Sequence, residues 1–191
     1  TVATSDFNLD FAFGDTLKGS YPLTASITVK RYDETFAGEK KKVLYALENT
    51  LNHYTTFNPH YAYSSSFGDK TLQKLNIISI PSIFYGSSIE RGSVKLKYFV
   101  TGTLIAEASD TLKNGVLTQT TGSTTGSSVG VVLYNEGFII LTSSANIDAH
   151  GEAYDTDSTL HSASWHYFGV TSSYAGSPSS SFSLDFNGVS Y

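Results

Sequence analysis

The stretch that decides the fold is VVLYNEGFIILT, residues 131–142. Val131 to Tyr134 and Phe138 to Thr142 are short apolar runs, and Asn135-Glu136-Gly137 between them is a turn sequence typical of a β-hairpin. Both runs are apolar at successive rather than alternate positions, so neither face of the hairpin is suited to water. The stretch therefore predicts a hairpin at the centre of a sheet that is covered on both sides.

Apolar alternation predicts strands elsewhere in the chain. These strands are Asp6 to Phe13, Leu23 to Val29, Leu75 to Ile80, Val94 to Val100, Thr103 to Ala108, Val116 to Gln119, Ser164 to Val170 and Phe182 to Phe186. Lys113-Asn114-Gly115 predicts a second hairpin, and Asn187-Gly188 predicts a type I′ turn after the last strand. Pro81 follows a strand and indicates a sheet edge or a bend, because proline lacks the N–H that a central strand needs.

Near residues 39–52 the apolar period changes to that of a helix. Val43, Leu44, Leu47 and Leu51 fall on one helical stripe. Three lysines near the start oppose the helix dipole, so we expect the helix to depend on packing against a sheet edge. About nine or ten strands and this one helix predict an all-β (mainly β) fold, an antiparallel β-sandwich with one helical insertion.

The 191 residues suit a single β-sandwich domain spanning residues 1–191. Residues 118–130, TQTTGSTTGSSVG, contain no charge and no large side chain, which predicts a flexible Gly/Ser/Thr loop within the domain. The first residue is not methionine, and the chain stops soon after a predicted turn. We therefore expect a fragment of a longer polypeptide.

Composition excludes several classes of protein. There is no cysteine, so neither a disulfide nor a thiolate metal site can form. Residues 1–97 contain 11 Lys/Arg and 9 Asp/Glu, whereas residues 98–191 contain 1 and 8, which gives net charges of +2 and -7. This division argues against a nucleic-acid-binding protein and fits either a solvated acidic face or a polarised building block. No apolar run is long enough to cross a membrane.

Catalytic motifs are absent, and we predict neither an enzyme nor a cofactor. The chain lacks Gly-x-Ser-x-Gly, a P-loop and a dinucleotide-binding glycine motif, although a carboxylate pair for glycoside hydrolysis would depend on the fold. Carboxylates and imidazoles between Asp148 and His161 could hold a cation, but their spacing fits an ordinary polar turn better. We predict no metal site there, and only local hydrogen bonds for His53 and His60.

Aromatic residues are the candidate contacts with a ligand or a partner. Exposed rings on a β-sandwich can stack on sugars, whereas buried rings would fill a core without methionine or an interface between subunits. The candidate residues are Tyr54, Tyr61, Tyr63, Trp165 and Tyr167.

The stretch IPSIFYGSSIERGSVKLKYFVTG, residues 80–102, predicts a structural corner. Pro81 ends a strand, Tyr85-Gly86-Ser87 turns the chain, and Ile89 anchors it. Gly92-Ser93 then begins the next strand. No reactive group is needed to explain this pattern.

The chain from about Leu75 to about Thr142 resembles a segment of large virion structural proteins of tailed phages, chiefly contractile-tailed phages of marine cyanobacteria and related environmental viruses. The resemblance is carried by Ile80-Pro81-Ser82-Ile83-Phe84-Tyr85-Gly86-Ser87, Gly92-Ser93-Val94, Asn114-Gly115 and Val132-Leu133-Tyr134-Asn135-Glu136-Gly137-Phe138.

This resemblance implies a non-enzymatic assembly module of a phage tail, baseplate or fibre, located in the virion. Its partners would be copies of itself or other virion proteins, with no role for nucleic acid or a membrane. The alternative is a carbohydrate- or receptor-binding module that contacts host surface glycans. A hydrolase is the third hypothesis.

Overall fold

The computed structural model describes residues 16–21, 27–32, 41–154, 159–170 and 180–189. Its strands are β1 (Thr16–Tyr21), β2 (Thr28–Tyr32), β3 (Ser64–Ser65), β4 (Gly68–Asp69), β5 (Leu75–Ser79), β6 (Ser88–Ile89), β7 (Lys95–Val100), β8 (Thr103–Ser109), β9 (Val116–Thr121), β10 (Ser128–Leu133), β11 (Phe138–Leu141), β12 (Asn146–Glu152), β13 (His161–Ser164) and β14 (Ser180–Val189). The α-helices are α1 (Lys42–Ala46) and α2 (Glu48–Tyr54), and 3₁₀ turns span Pro59–Tyr61, Ser82–Phe84 and Trp165–Tyr167.

Ten of these strands form one curled antiparallel sheet. Nine follow the order β1-β14-β7-β8-β9-β10-β11-β5-β2, and β6 pairs with β14. The pairs β12–β13 and β3–β4 form separate two-stranded sheets. The prediction of a mainly β, antiparallel fold with a helical insertion is confirmed. One continuous sheet contains most of the strands.

The hairpin of β10 and β11 is buried on both faces, as its sequence predicts. Val132 pairs with Ile139, and both side chains belong to one core cluster. The neighbouring pair, Val131 and Ile140, belongs to a second cluster. Because successive side chains of a strand point to opposite faces, the sheet separates two cores.

The first cluster, here called the inner core, includes residues from strands along most of the sheet. A segment around the buried Trp165 packs within it. The Asn76 Nδ2 atom donates to the Phe168 carbonyl oxygen at 2.7 Å, and the Trp165 Nε1 atom donates to Gln119 Oε1 at 2.8 Å. The buried members of the inner core are Ile27, Ile78, Ile80, Tyr85, Ile89, Val94, Leu96, Tyr98, Val100, Ala106, Ala108, Leu117, Val129, Val132, Tyr134, Ile139, Leu141, Ile147, Tyr154, Ala163, Trp165, Tyr167, Phe168, Leu184 and Phe186.

The second cluster, here called the outer core, joins the helices to the central strands β5, β11 and β10. Its buried members are Leu44, Leu47, Leu51, Tyr54, Tyr61, Leu75, Ile77, Val131, Leu133 and Ile140. The predicted helical stripe is therefore packed as expected, with Val43 at its margin. Two details differ from the prediction. The helix is interrupted at Leu47, and it covers the face of the central strands rather than a sheet edge.

The segment from Ser164 to Val170 is a correction to the predicted strands. Only Ser164 belongs to β13, and a 3₁₀ turn follows at once. Trp165, His166 and Tyr167 are all buried. Successive buried side chains are incompatible with the alternation of a half-buried strand, so the chain turns inside the core instead.

The predicted turn at Asn187-Gly188 is also wrong, because β14 continues to Val189. A Cβ atom at Gly188 would lie 2.4 Å from the Cα atom of Tyr85, so this glycine permits two backbones to approach closely. Such an approach is a tertiary contact that the dipeptide itself does not reveal.

The loop predicted over residues 118–130 is shorter in the structure. Strand β9 continues to Thr121 and β10 begins at Ser128, so the connection comprises residues 122–127. The Gln119 N–H donates to the Ser127 carbonyl oxygen at 2.9 Å across it. The predicted strand Asp6 to Phe13 lies outside the described residues, and of Leu23 to Val29 only residues 27–29 are described.

Replacing a central side chain on either face should destabilise the protein severely. We expect Ile139→Ala and Ile140→Ala each to lower the free energy of unfolding by about 2–5 kcal/mol, because each leaves a cavity in a different core. Leu104→Ala, at a side chain that is 38% exposed, is the control and should cost less than about 1 kcal/mol. Urea unfolding followed by circular dichroism measures all three. A value for either isoleucine no larger than the control would mean that its face is not a core.

Candidate functional site

A cleft of about 160 Å³ lies between the end of α2 and the turn regions of the sheet. Rings and cationic side chains meet there. The cleft is lined by Tyr54, Phe57, Tyr61, Arg91, Lys113, Asn114 and Tyr134, and is here called the aromatic cleft.

Two buried tyrosines form the floor of the aromatic cleft. The Tyr61 hydroxyl donates to the Val132 carbonyl oxygen at 2.6 Å, and the Tyr134 hydroxyl donates to Asp110 Oδ2 at 2.7 Å. Burial raises the pKa of both phenols above the ordinary value. Both therefore remain neutral donors at physiological pH, and their bonds hold the floor in place.

The helical wall of the cleft consists of Tyr54 and Phe57. The Tyr54 ring centroid lies 5.3 Å from that of Tyr61 and 5.9 Å from that of Phe57. Its hydroxyl donates to Glu136 Oε2 at 3.3 Å and accepts from Asn135 Nδ2 at 3.0 Å. Burial, with the nearby Glu136 carboxylate, raises the pKa of Tyr54. Tyr54 is thus fixed, whereas Phe57 is 62% exposed at the mouth.

The predicted hairpin at residues 113–115 forms the opposite wall. Gly115 has φ +85°, and a Cβ atom there would lie 1.6 Å from the Tyr61 hydroxyl oxygen. Only glycine fits both the left-handed backbone and the ring that crosses it. The hairpin glycine, identified from sequence as a turn residue, is therefore also what allows the floor of the cleft to form.

Two cations border the cleft. The Arg91 Cζ atom lies 5.3 Å from the centroid of the Tyr134 ring, which is within cation–π range. The Lys113 side chain runs over Gly92, where a Cβ atom would lie 2.9 Å from Lys113 Cε. Both side chains are exposed, and among the described residues neither forms an ion pair.

A buried carboxylate beneath the cleft organises the corner of residues 80–102. Asp110 Oδ2 accepts from the Gly92 N–H at 2.7 Å and from the Tyr134 hydroxyl. Asp110 Oδ1 accepts from the Val94 N–H at 3.0 Å. These three donors compensate the desolvation of the carboxylate and join the corner to the turn between β10 and β11. Sequence reasoning missed Asp110, although an aspartate directly after the apolar alternation of β8 was a signal.

The five predicted aromatic contact residues are separated in the structure. Tyr54 and Tyr61 meet in the aromatic cleft, and Tyr63 packs partly buried beside the outer core. Trp165 is 0% exposed, and Tyr167 is buried and stacked on Tyr154 with ring centroids 4.4 Å apart. The expected contact role of Trp165 and Tyr167 is corrected, because their rings fill the inner core instead of facing solvent.

The polar region after Asp148 contains a buried carboxylate, that of Glu152. Glu152 accepts hydrogen bonds from the Ser180 hydroxyl and N–H groups, and its Oε2 atom lies 3.9 Å from His150 Nε2. No group of three or more His, Asp or Glu side chains among the described residues could hold a metal ion. Residues 155–158, with two of the predicted carboxylates, lie outside the described residues.

The two histidines of the aromatic loop lie beside other rings. The ring centroids of His60 and Phe67 lie 4.4 Å apart. The backbone N–H of His60 donates locally to Asn58 Oδ1 at 2.9 Å. Burial lowers the pKa of His60, which disfavours its charged form. His53 packs edge-on against Tyr54.

Comparison of the chain with protein-family models, with curated proteins and with solved structures finds no match. Of the helices in the described residues, none combines the length and the apolar character needed to span a membrane.

Replacing Asp110 should loosen the corner and the cleft together. We expect Asp110→Asn to lower the free energy of unfolding by roughly 3 kcal/mol, because an amide NH₂ would face N–H donors. Tyr134→Phe removes one of the three bonds and should cost about 1–2 kcal/mol. The control is Asp148→Asn, at a side chain whose Oδ1 accepts from the nearby backbone N–H of His150 at 2.8 Å, a bond that the amide oxygen of asparagine can also accept. Chemical denaturation measures the three values, and equal effects for Asp110→Asn and the control would contradict the role of Asp110.

Proposed function

We propose that this chain is a non-enzymatic structural module of a viral particle, a component of a phage tail, baseplate or fibre that assembles through protein–protein contacts. The resemblance over residues 75–142 supports the virion location. The observation that carries the proposal is the concentration of exposed apolar side chains on the segment that covers the outer core.

Residues 41–73, here called the covering segment, pack apolar side chains against the sheet and expose four large apolar side chains to solvent. Half of the exposed large apolar side chains of the described residues belong to it. They are Tyr45, Phe57, Phe67 and Leu72, with exposed fractions of 63%, 62%, 55% and 71%. Exposed apolar side chains that form one patch are typical of protein–protein interfaces, and such a patch is the role we propose for these four.

Two lysines hold the covering segment in one conformation. The Lys70 Nζ atom donates to the carbonyl oxygens of His60 at 2.9 Å and Ala62 at 2.5 Å. The Lys41 Nζ atom donates to the carbonyl oxygens of Lys70 at 3.0 Å and Gln73 at 2.5 Å. Burial lowers the pKa of Lys70 to about 8, so its ammonium group predominates at neutral pH. A segment fixed in this way loses little entropy when a partner binds it.

The buried polar groups also support a structural role. Asp110 and Glu152 are fully buried, and both accept hydrogen bonds from groups of the fold. The partners that suit the covering segment are other copies of this chain or other virion proteins. A net charge of -5 and an apolar contact surface favour protein rather than nucleic acid as the partner.

A second candidate function is recognition of a carbohydrate or receptor. The observation that favours it is the aromatic cleft, where a fixed wall and an exposed ring surround a space open to a small ligand. This recognition role would depend on Tyr54, Tyr61 and Phe57, and not on Trp165.

Self-association tests the assembly function. We expect sedimentation velocity of the wild-type chain to show concentration-dependent association. The double variant Phe67→Ser/Leu72→Ser should raise the dissociation constant at least about tenfold, because two exposed apolar contacts are lost. Neither residue lines the aromatic cleft, so we expect ligand recognition to be unaffected.

The matched control is Leu160→Ser, since Leu160 is 65% exposed but lies on the β12–β13 side of the molecule. It should associate as the wild type does, with an unchanged circular dichroism spectrum. A wild-type chain that remains monomeric, or equal weakening by the control, would contradict assembly of copies through the covering segment.

A further inference from the structure

We propose that the aromatic cleft is a binding site for a carboxylate-bearing sugar ring, such as a uronic acid in a surface glycan. The inference rests on the second proposed function, recognition, and adds the class of sugar to it. It follows from the combination of two exposed cations, one exposed ring and a small volume.

The cations of the cleft are available to an anionic ligand. Arg91 lies on the Tyr134 ring and Lys113 lies over Gly92, and among the described residues neither has an ion-pair partner. Two nearby carboxylates are already engaged. Asp110 is buried with three donors, and Glu136 accepts from the Tyr54 hydroxyl. A ligand carboxylate could therefore pair with the guanidinium group through two parallel hydrogen bonds.

The remaining groups of the cleft suit a sugar ring. Phe57, exposed at the mouth, offers a face for the C–H side of a pyranose. The Asn114 side chain accepts from the Val116 N–H through Oδ1 at 3.1 Å, and its NH₂ group can donate to the ligand.

The size of the cleft limits the ligand to about one ring. Its volume of about 160 Å³ is roughly half of the smallest volume, about 300 Å³, that is typical of pockets for drug-sized molecules. A neutral hexose would fit but would leave both cations without a partner. A flexible acidic side chain of a protein would satisfy the cations but would have no ring to place on Phe57.

A titration with three small probes tests this assignment. The probes are methyl glucuronoside, methyl glucoside and N-acetylglutamate amide, and ligand-detected NMR with the full chain measures their binding. We expect the glucuronoside to bind weakly, with a dissociation constant of about millimolar order, and the other two at least about tenfold more weakly. Added salt should weaken the binding of the glucuronoside.

Two substitutions at exposed residues connect the binding to the cleft. Arg91→Gln should weaken glucuronoside binding about tenfold, which corresponds to the loss of a hydrogen bond to a charged group. Phe57→Leu should weaken it several-fold by removing the ring face. Lys95→Gln is the matched control, because Lys95 is an exposed lysine of β7 that does not line the cleft. The control should bind as the wild type does.

The other results overturn the inference in distinguishable ways. Equal affinity for the glucoside would remove the selectivity for acid but would leave sugar recognition in place. Equal affinity for the glutamate amide would indicate an acidic protein partner instead. Binding that is unchanged in Arg91→Gln would place the site elsewhere, and no binding of either sugar would remove the recognition function as well. None of these outcomes bears on assembly through Phe67 and Leu72.

Discussion

The structure depends on a sheet whose central strands must be kept from water on both faces. In β5, β11 and β10, neighbouring residues such as Ile139 and Ile140 point into different cores. Burying such side chains on one face only would leave a large apolar surface exposed. The curled sheet and the segment around Trp165 bury the side chains of the inner core, and the covering segment buries those of the outer core. The helices are therefore required by the central strands, even though their own sequence favours them only weakly.

The covering segment links this constraint to the proposed functions. Its sheet-facing side completes the outer core through Leu44 and Leu51, while its solvent-facing side has exposed rings and a leucine. Where it meets the turns of the sheet it forms one wall of the aromatic cleft, and Asp110 fixes the other side by binding the backbone at Gly92 and Val94. The same packing that stabilises the fold thus positions both the proposed assembly surface and the proposed sugar site.

Sequence patterns predicted those features that depend on local periodicity. The doubly buried hairpin, the helical stripe and the Lys113-Asn114-Gly115 turn all follow from residue type and spacing, and the structure confirms them. The features missed depend on contacts between distant parts of the chain. Trp165, a candidate contact residue, lies in the core. Gly188 continues a strand where Tyr85 passes close to it, and the buried Asp110 accepts hydrogen bonds from three donors. Composition and spacing do not report such convergence.

Native-state hydrogen exchange measures most directly whether the covering segment and the central strands form one cooperative unit. The Leu51 N–H donates to the Leu47 carbonyl oxygen within the helices, and the Val132 N–H donates to the Gly115 carbonyl oxygen within the sheet. If the outer core requires both, the two amides should exchange with the same free energy, that of global unfolding. Exchange of Leu51 at a much lower free energy, with Val132 still protected, would show that the helices detach independently and that the sheet does not depend on them.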